Sequence, residues 1–351
     1  MLSNQISPNG QPTKRIEYID ALRGFTMTLV VMLHVVAYCL PIQDNDHQIY
    51  KYLQQVRMPM FFFISGFVFF KASVVWDTKQ VISFFRKKIP VQLLSPLLFF
   101  VLFAYTKGLS IVDNLFESSK LGYWFTYALF FYYVFYISIK FCIRNKYADI
   151  ILLLIGSFLY VIIHPTIYTA IPLSDEMKGL LSISEWNFFI FFVLGTLARK
   201  HFDQFERILD HTPLLAICIL TFFLVNGFMD LIPISNRIIP RFLCFPAVIV
   251  CFSFFRLKQS IFTKDKLFGR TMQYIGRRTL DIYLIHWFLQ PRELKHVLTV
   301  FQDYSMPVIE GTLTLLIAII IIAASLLIGN IIRLSPFLAH WVFGAKYPTN
   351  K

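Results

Sequence analysis

Charge is scarce in this chain. Only 15% of its 351 residues are Asp, Glu, Lys or Arg, against about a quarter in a soluble domain, whose surface must stay wet. That excludes an ordinary soluble domain of this length. Acid is scarcer than base, with 20 Asp and Glu against 33 Lys and Arg. Asp281 is the only carboxylate well inside an apolar block. Ion-coupled transport usually relies on such carboxylates, or on broken helices at matched positions in two halves, and no two halves match here. The five cysteines (Cys39, Cys142, Cys218, Cys244, Cys251) have no paired spacing, which argues against a disulfide framework and a zinc site alike. With no cluster of ligand side chains at helical spacing, no metal is expected. Internal repeats, low-complexity stretches and polar runs long enough for a soluble domain are also missing. The first 17 residues are polar, and the apolar block that follows lacks a small-residue cleavage site. It is expected to stay as a membrane helix rather than be removed as a signal peptide.

What is present is apolar. Hydrophobic residues make up 57% of the chain, most of them in blocks of roughly 18 to 25 residues, enough to cross a hydrocarbon core of about 30 Å. Ten blocks are read, near 22–41, 57–75, 89–106, 122–141, 148–165, 185–198, 213–231, 238–255, 274–290 and 308–333. The sixth is short, and Arg277, Arg278 and Asp281 interrupt the ninth. Pro90, Pro96, Pro240 and Pro246 fall inside blocks and predict kinks. The expectation is an all-α, polytopic bundle of about ten transmembrane helices forming one domain over 1–351. Residues 1–17 and 334–351 are its tails.

The net charge of +13 invites a nucleic-acid reading, but its distribution argues otherwise. Lysines and arginines gather in short loops on alternate sides of the blocks, densest at Arg86-Lys87-Lys88 and from Arg256 to Arg278. The positive-inside rule then places both termini in the cytoplasm. The opposite rim is mixed in charge, with Asp44, Asp46, Arg57, Asp175 and Glu176, which suits a polyhydroxyl compound better than a polyanion.

Ionisable residues deep in lipid are costly and therefore candidates for function. His34 lies in the middle of the first block, in VVMLHVVAY, and Arg23 stands at its inner mouth. Eleven helical positions bring the two within about 20° of the same face, about 16 Å apart along the axis. Two readings fit. In one, Arg23 holds a phosphate of CoA while the flexible arm carries a thioester up to an imidazole base. In the other, Arg23 snorkels to the headgroups and His34 is a satisfied polar group between helices. Asp20, three residues before Arg23, either orients it or forms a surface pair. Arg57 stands at the outer start of the second block as an acceptor contact or an interfacial anchor. Ser65, in ISGF, either lines a site or permits close helix packing. Trp124 either stacks on a sugar or belongs to the aromatic belt. Tyr283 and His286 are candidate site-lining groups, and Asp281 is placed to pair with Arg277 or Arg278. His47, His164, His201, His211, His296 and His340 fall in loops or at block edges and carry no signal.

The stretch RIEYIDALRGFTMTLVVMLHV closely resembles the opening of the acyltransferase-3 family, which carries an arginine, ten intervening residues and a histidine in its first helix. Four later segments resemble family signatures in order: RMPMFFFISGF, WFTYALFFYYVFY, FFIFFVLGTLARK and IGRRTLDIYLIHWF. The resemblance spans about residues 15–290, and its details look most like the branch that acetylates sugars and exported polysaccharides. It implies a multi-helix fold in a bacterial-type cytoplasmic membrane and acetyl-CoA or a similar acyl donor. It also implies a glycan or lipid-linked sugar acceptor, His34 as the base, and Arg23 in support of donor or base. Many members carry two arginines three apart before the third helix. Here Arg86-Lys87-Lys88 keeps the charge, with Gln92 near the second place, and a lysine can hold phosphate as a point charge. The carboxylate that some members place after the tryptophan is absent from Trp124-Phe125-Thr126-Tyr127-Ala128-Leu129. The rival class is a transporter or flippase of a lipid-linked glycan, which consumption of a thioester would separate from an acyltransferase.

Overall fold

The computed structural model describes residues 16–40, 48–163, 171–228, 239–297 and 307–345. Among them every regular element is helical. The principal helices are α1 (Glu17–Cys39), α2 (Gln48–Phe69), α3 (Thr78–Ile89), α4 (Ser95–Thr106), α5 (Trp124–Cys142), α6 (Tyr147–Ile162) and α7 (Phe189–Lys200). They are followed by α8 (Phe202–Leu209), α9 (Thr212–Gly227), α10 (Cys244–Leu257), α11 (Leu267–Arg277), α12 (Thr279–Ile285), α13 (Pro307–Ile332) and α14 (Pro336–Phe343). The chain divides into two compact units, one of Met1–Ile64, His201–Ile282 and Leu289–Leu326, the other of Ser65–Lys200, Tyr283–Phe288 and Leu327–Lys351.

Among the described residues four helices are long and apolar enough to cross a membrane: α1, the run Thr78–Thr106, α5 and α13. A fifth arises if α8 and α9, bent by 66°, form one span. The ten expected spans are not all of this kind among the described residues. Three of the blocks fall on shorter apolar helices, Tyr147–Ile162, Cys244–Leu257 and Thr279–Leu289. The second block lies on α2, whose first half carries Lys51, Gln54, Gln55 and Arg57 and so dilutes its hydropathy. The sixth begins as a 3₁₀ segment, Ile183–Phe188, before α7. The ninth is broken, as its charges suggest, into α11, α12 and a 3₁₀ turn, His286–Leu289. His47, His164, Asp44 and Asp46 lie outside the described residues.

In the first unit α1 packs along α11. Cβ atoms added at Gly24 or Gly276 would collide with the backbone carbonyls of Met272 and Asp20 respectively, so the two helices touch main chain to main chain. Glu17 and Asp20 occupy the first turn of α1, where carboxylates complement the helix dipole. The carboxylate of Glu17 also accepts the Lys264 N–H at 3.0 Å. Further along, Leu33 and Val36 of α1, with Leu40 just past its end, bury against Leu53 of α2. A reciprocal pair of amides ties α2 to α9: Gln55 Nε2 donates to Asn226 Oδ1 at 2.9 Å, and Asn226 Nδ2 returns a bond to Gln55 Oε1 at 3.0 Å.

In the second unit Asp77 caps α3 by accepting the Gln80 N–H at 2.7 Å. Arg86, Lys87 and Lys88 crowd its last turn, where cations suit the dipole. The kink expected at Pro90 takes the form of a π-helical turn, Pro90–Leu94, because proline has no N–H to continue the ladder. Ser95 Oγ then donates to the Pro90 carbonyl at 3.0 Å. Gly66 in the ISGF segment lies against the Phe192 backbone of α7, so this glycine, with no Cβ, permits the close approach. At the far end of α5 and α7, Lys140 and Lys200 share Asp149 at 2.5 and 2.6 Å.

Candidate active site

The first unit contains Arg23, His34 and Arg57, and the second contains Ser65, Arg86, Lys87, Lys88, Trp124, Tyr283 and His286. Along α1, Arg23 and His34 are both half-buried. The guanidinium Nη2 of Arg23 donates to Thr279 Oγ1 of α12 at 3.2 Å, so the close α1–α11 crossing and the break after Arg277 position the side chain. Asp20, one turn earlier, is 2% exposed. The expected pair at the break is present, with Arg278 Nη1 at 3.1 Å from Asp281 Oδ2. His34 keeps part of its surface open, and the ring of Tyr38, one turn further, stands 6.3 Å from its imidazole. Beyond Tyr38 lie two residues that sequence patterning does not single out. The Cys39 thiol donates to Gln290 Oε1 at 3.3 Å, and the Arg292 guanidinium rests 5.1 Å from the Tyr38 ring centre. Arg57 is half-buried on α2, two residues before Pro59.

In the second unit the basic run does not act as one patch. Arg86 and Lys87 are exposed, whereas the Lys88 ammonium turns over the rings of Tyr133 and Phe84, at 5.2 and 5.7 Å. Gln92 is buried. Ser65 is half-buried beside the close-packed Gly66. Trp124 is half-buried with its indole stacked on Phe188, 6.5 Å between centroids. His286 has no exposed surface, and its Nδ1 lies 3.0 Å from the Tyr283 carbonyl. Tyr283 is buried too and packs edge-on to Tyr123 and Phe125.

A left-handed turn in the same unit was invisible to motif reading. Lys120, Leu121 and Gly122 have φ of 43°, 52° and 95°, a conformation that costs a side-chain-bearing residue free energy. It lets the Trp287 indole fill the space where a Gly122 Cβ would stand. It also buries Lys120, whose Nζ donates to the carbonyls of Gly179 at 2.6 Å and Glu117 at 3.2 Å. Burial pushes the Lys120 ammonium down to about 8, against the opposing charge of Glu185.

No group of three or more His, Cys, Asp or Glu among the described residues is arranged to hold a metal ion. The arrangement along α1 offers a reachable imidazole between a cationic group and an aromatic one. The sequence model of the acyltransferase-3 acyltransferase domain matches residues 16–334. The chain belongs to the acyltransferase-3 family. Its family membership and its apolar helices make it an integral membrane acyltransferase. No curated protein and no solved structure matches the chain of this acyltransferase-3 member.

Proposed function

We propose that this acyltransferase-3 protein moves an acetyl or similar short acyl group from acyl-CoA to a hydroxyl of a glycan or lipid-linked sugar at a bacterial cytoplasmic membrane. The observation that carries the reading is the half-buried His34 on the same helix as Arg23, which is held by Thr279. In this reading His34 takes the hydroxyl proton as the oxygen attacks the thioester carbonyl. The C–S bond then breaks, and the departing thiolate takes the proton from the imidazolium. Arg23 contacts a phosphate of the donor. Arg57 is kept as an acceptor contact. With both termini cytoplasmic, CoA approaches from the Arg23 end, and the acceptor approaches from the Tyr38 end.

The test is release of CoA thiol by the purified chain in sealed vesicles, with acetyl-CoA on one side and sugar acceptors on either side. Release that depends on acceptor and is lost in His34→Gln is expected. Release that persists in His34→Gln at wild-type protein level removes the base assignment. Modification only of acceptor on the donor's own side removes transfer across the membrane.

A further inference from the structure

The stretch from the end of α10 to the end of α11 carries charge and apolar surface that the acyl-transfer reading leaves unused. Between Lys258 and Arg277 it holds five cations, Lys258, Lys264, Lys266, Arg270 and Arg277, and a single carboxylate, Asp265. All five cations are exposed, and none forms an ion pair among the described residues. Cations at other helix ends are matched. Arg256 Nη1 lies 2.6 Å from Glu206 Oε1, and Lys140 and Lys200 share Asp149. Beside the unmatched charges stand exposed apolar side chains, Leu257, Ile261, Leu267 and Phe268, and Leu267 is 72% exposed.

The segment that carries them is anchored. Phe262 is buried and stacks on Phe255 of α10, 4.1 Å between ring centres. Its carbonyl accepts Gln273 Nε2 of α11 at 2.6 Å, and the Lys264 N–H is held by the Glu17 carboxylate at the start of α1. Gly269 lies against the backbone of Ile261, Phe262 and Thr263, so the connection folds directly onto α11. α11 buries Gly269, Gln273, Ile275 and Gly276 on its inner side. At 100° per residue, Lys266 and Arg270 fall within about 40° of each other on the outer side, and Leu267 and Phe268 fill the sector next to them. The positive-inside rule accounts for cations in a loop at a membrane surface. It gives no reason for a short helix, fixed along its inner side, to hold leucine and phenylalanine outward next to those cations. A soluble anion gives none either. Anionic lipid accounts for both, because its headgroups meet the charge and its acyl chains cover the apolar groups.

We infer that Lys264, Lys266, Arg270, Leu267 and Phe268 form a docking surface for anionic phospholipid, with phosphate headgroups on the three cations and the two apolar side chains among the acyl chains of the same leaflet. The surface uses nothing of the acyl-transfer reading. It has a consequence for the fold, because α11 also carries the main-chain crossing with α1. Lipid bound here is expected to raise the thermal unfolding midpoint, as a ligand specific to the folded state does.

The probes are dioleoyl phosphatidylglycerol, dioleoyl phosphatidylcholine and inorganic phosphate, titrated onto the full chain in detergent and read by native mass spectrometry, with thermal unfolding alongside. The wild type is expected to retain phosphatidylglycerol more tightly than phosphatidylcholine, and only the former should raise the unfolding midpoint. Each cation at an anionic surface is worth roughly fivefold in affinity, so Lys264→Gln, Lys266→Gln and Arg270→Gln together are expected to weaken phosphatidylglycerol binding about a hundredfold. Lys71→Gln, Arg144→Gln and Lys146→Gln together remove three exposed cations from other helix ends and are expected to change it little. Leu267→Ser with Phe268→Ser keeps the charge and is expected to cost about tenfold. Without lipid, all these variants should unfold at the wild-type temperature, because the replaced side chains are exposed, which separates a lost site from a damaged fold. Equal retention of the two lipids by the wild type, or equal losses in the two triple variants, would reduce the surface to general basicity and overturn the proposal. So would phosphatidylglycerol binding that the serine pair leaves untouched, or that inorganic phosphate displaces at equal concentration, since either marks a site for a soluble anion.

Discussion

Each compact unit holds one histidine that the sequence marks as interesting, and the two are built differently. His34 of the first unit keeps open surface on the middle of a spanning helix, between a cationic side chain fixed to Thr279 and an exposed tyrosine ring. His286 of the second unit has no exposed surface. Its Nδ1 is set against the Tyr283 carbonyl and its ring packs 4.9 Å from the Trp287 indole. A base must reach a substrate hydroxyl, and an imidazole enclosed by aromatics and a carbonyl has no exposed surface from which to do so. Residue type marks both positions equally, and only the surroundings separate them.

The strongest way to break that contrast is to remove each imidazole. His34→Ala is expected to lower acyl transfer by roughly 10²–10⁴, the usual scale of a general base, with membrane abundance near wild type. His286→Ala is expected to act first on the fold, costing about 1–3 kcal/mol of stability. Its loss of turnover per folded molecule should be much smaller. Glycan acylation and protein level measured together decide it, and equal activity losses at equal abundance would erase the distinction. Next in size is Gly276→Ala, which forces a Cβ onto the Asp20 carbonyl. Overpacking of this kind costs about 1–3 kcal/mol, and it should also shift Arg23 from Thr279. Thermal unfolding in detergent and the donor KM are both expected to change.

Arg23→Ala should raise the donor KM about tenfold, as loss of one charge-assisted contact does. Arg23→Lys should recover part of that if charge alone matters. Titrating acetyl-CoA in vesicles checks this, and an unchanged donor dependence in both variants would make Arg23 a headgroup anchor. The smallest effect belongs to the second unit. Lys120 titrates near 8 in the fold instead of its ordinary 10.5, so above about pH 8 the unfolded chain holds a proton that the folded one has released. Stability should therefore rise from about pH 8 toward 10.5 and level off below pH 8, where both states hold the proton. Lys120→Met is expected to remove that slope from the thermal unfolding of the protein. An identical slope in the variant would mean that the strained turn at Lys120–Gly122 does not control it.

Much of the helical layout was legible because burying a backbone in lipid forces it into helices, and the apolar blocks are the record of that requirement. α1, α5 and α13 stand close to where their blocks predict. The break after Arg277 was readable from charges in an apolar block, and the kink at Pro90 from a missing N–H. The number of full-length spans was less legible. A block's hydropathy does not reveal that α8 and α9 bend by 66°, or that residues Ile183–Phe188 wind as a 3₁₀ segment. At the candidate site, helical periodicity along α1 was enough to relate Arg23 to His34. Nothing local foretold Thr279 beside Arg23, and the run Arg86-Lys87-Lys88 gave no hint that Lys88 alone would turn over aromatic rings.

The sequence by itself therefore determined the class of molecule, the helix that carries the imidazole, and the face that His34 shares with Arg23, because composition and a period of 3.6 residues act over short stretches of chain. Only the tertiary structure decided that His286 is enclosed, that Lys120 is buried by a left-handed turn, and that Gln290 and Arg292 return to the end of α1. Those outcomes depend on segments far apart in the chain; Gln290, for one, lies 251 positions from Cys39. Such meetings are fixed by helix packing and by breaks between helices, which no local pattern encodes.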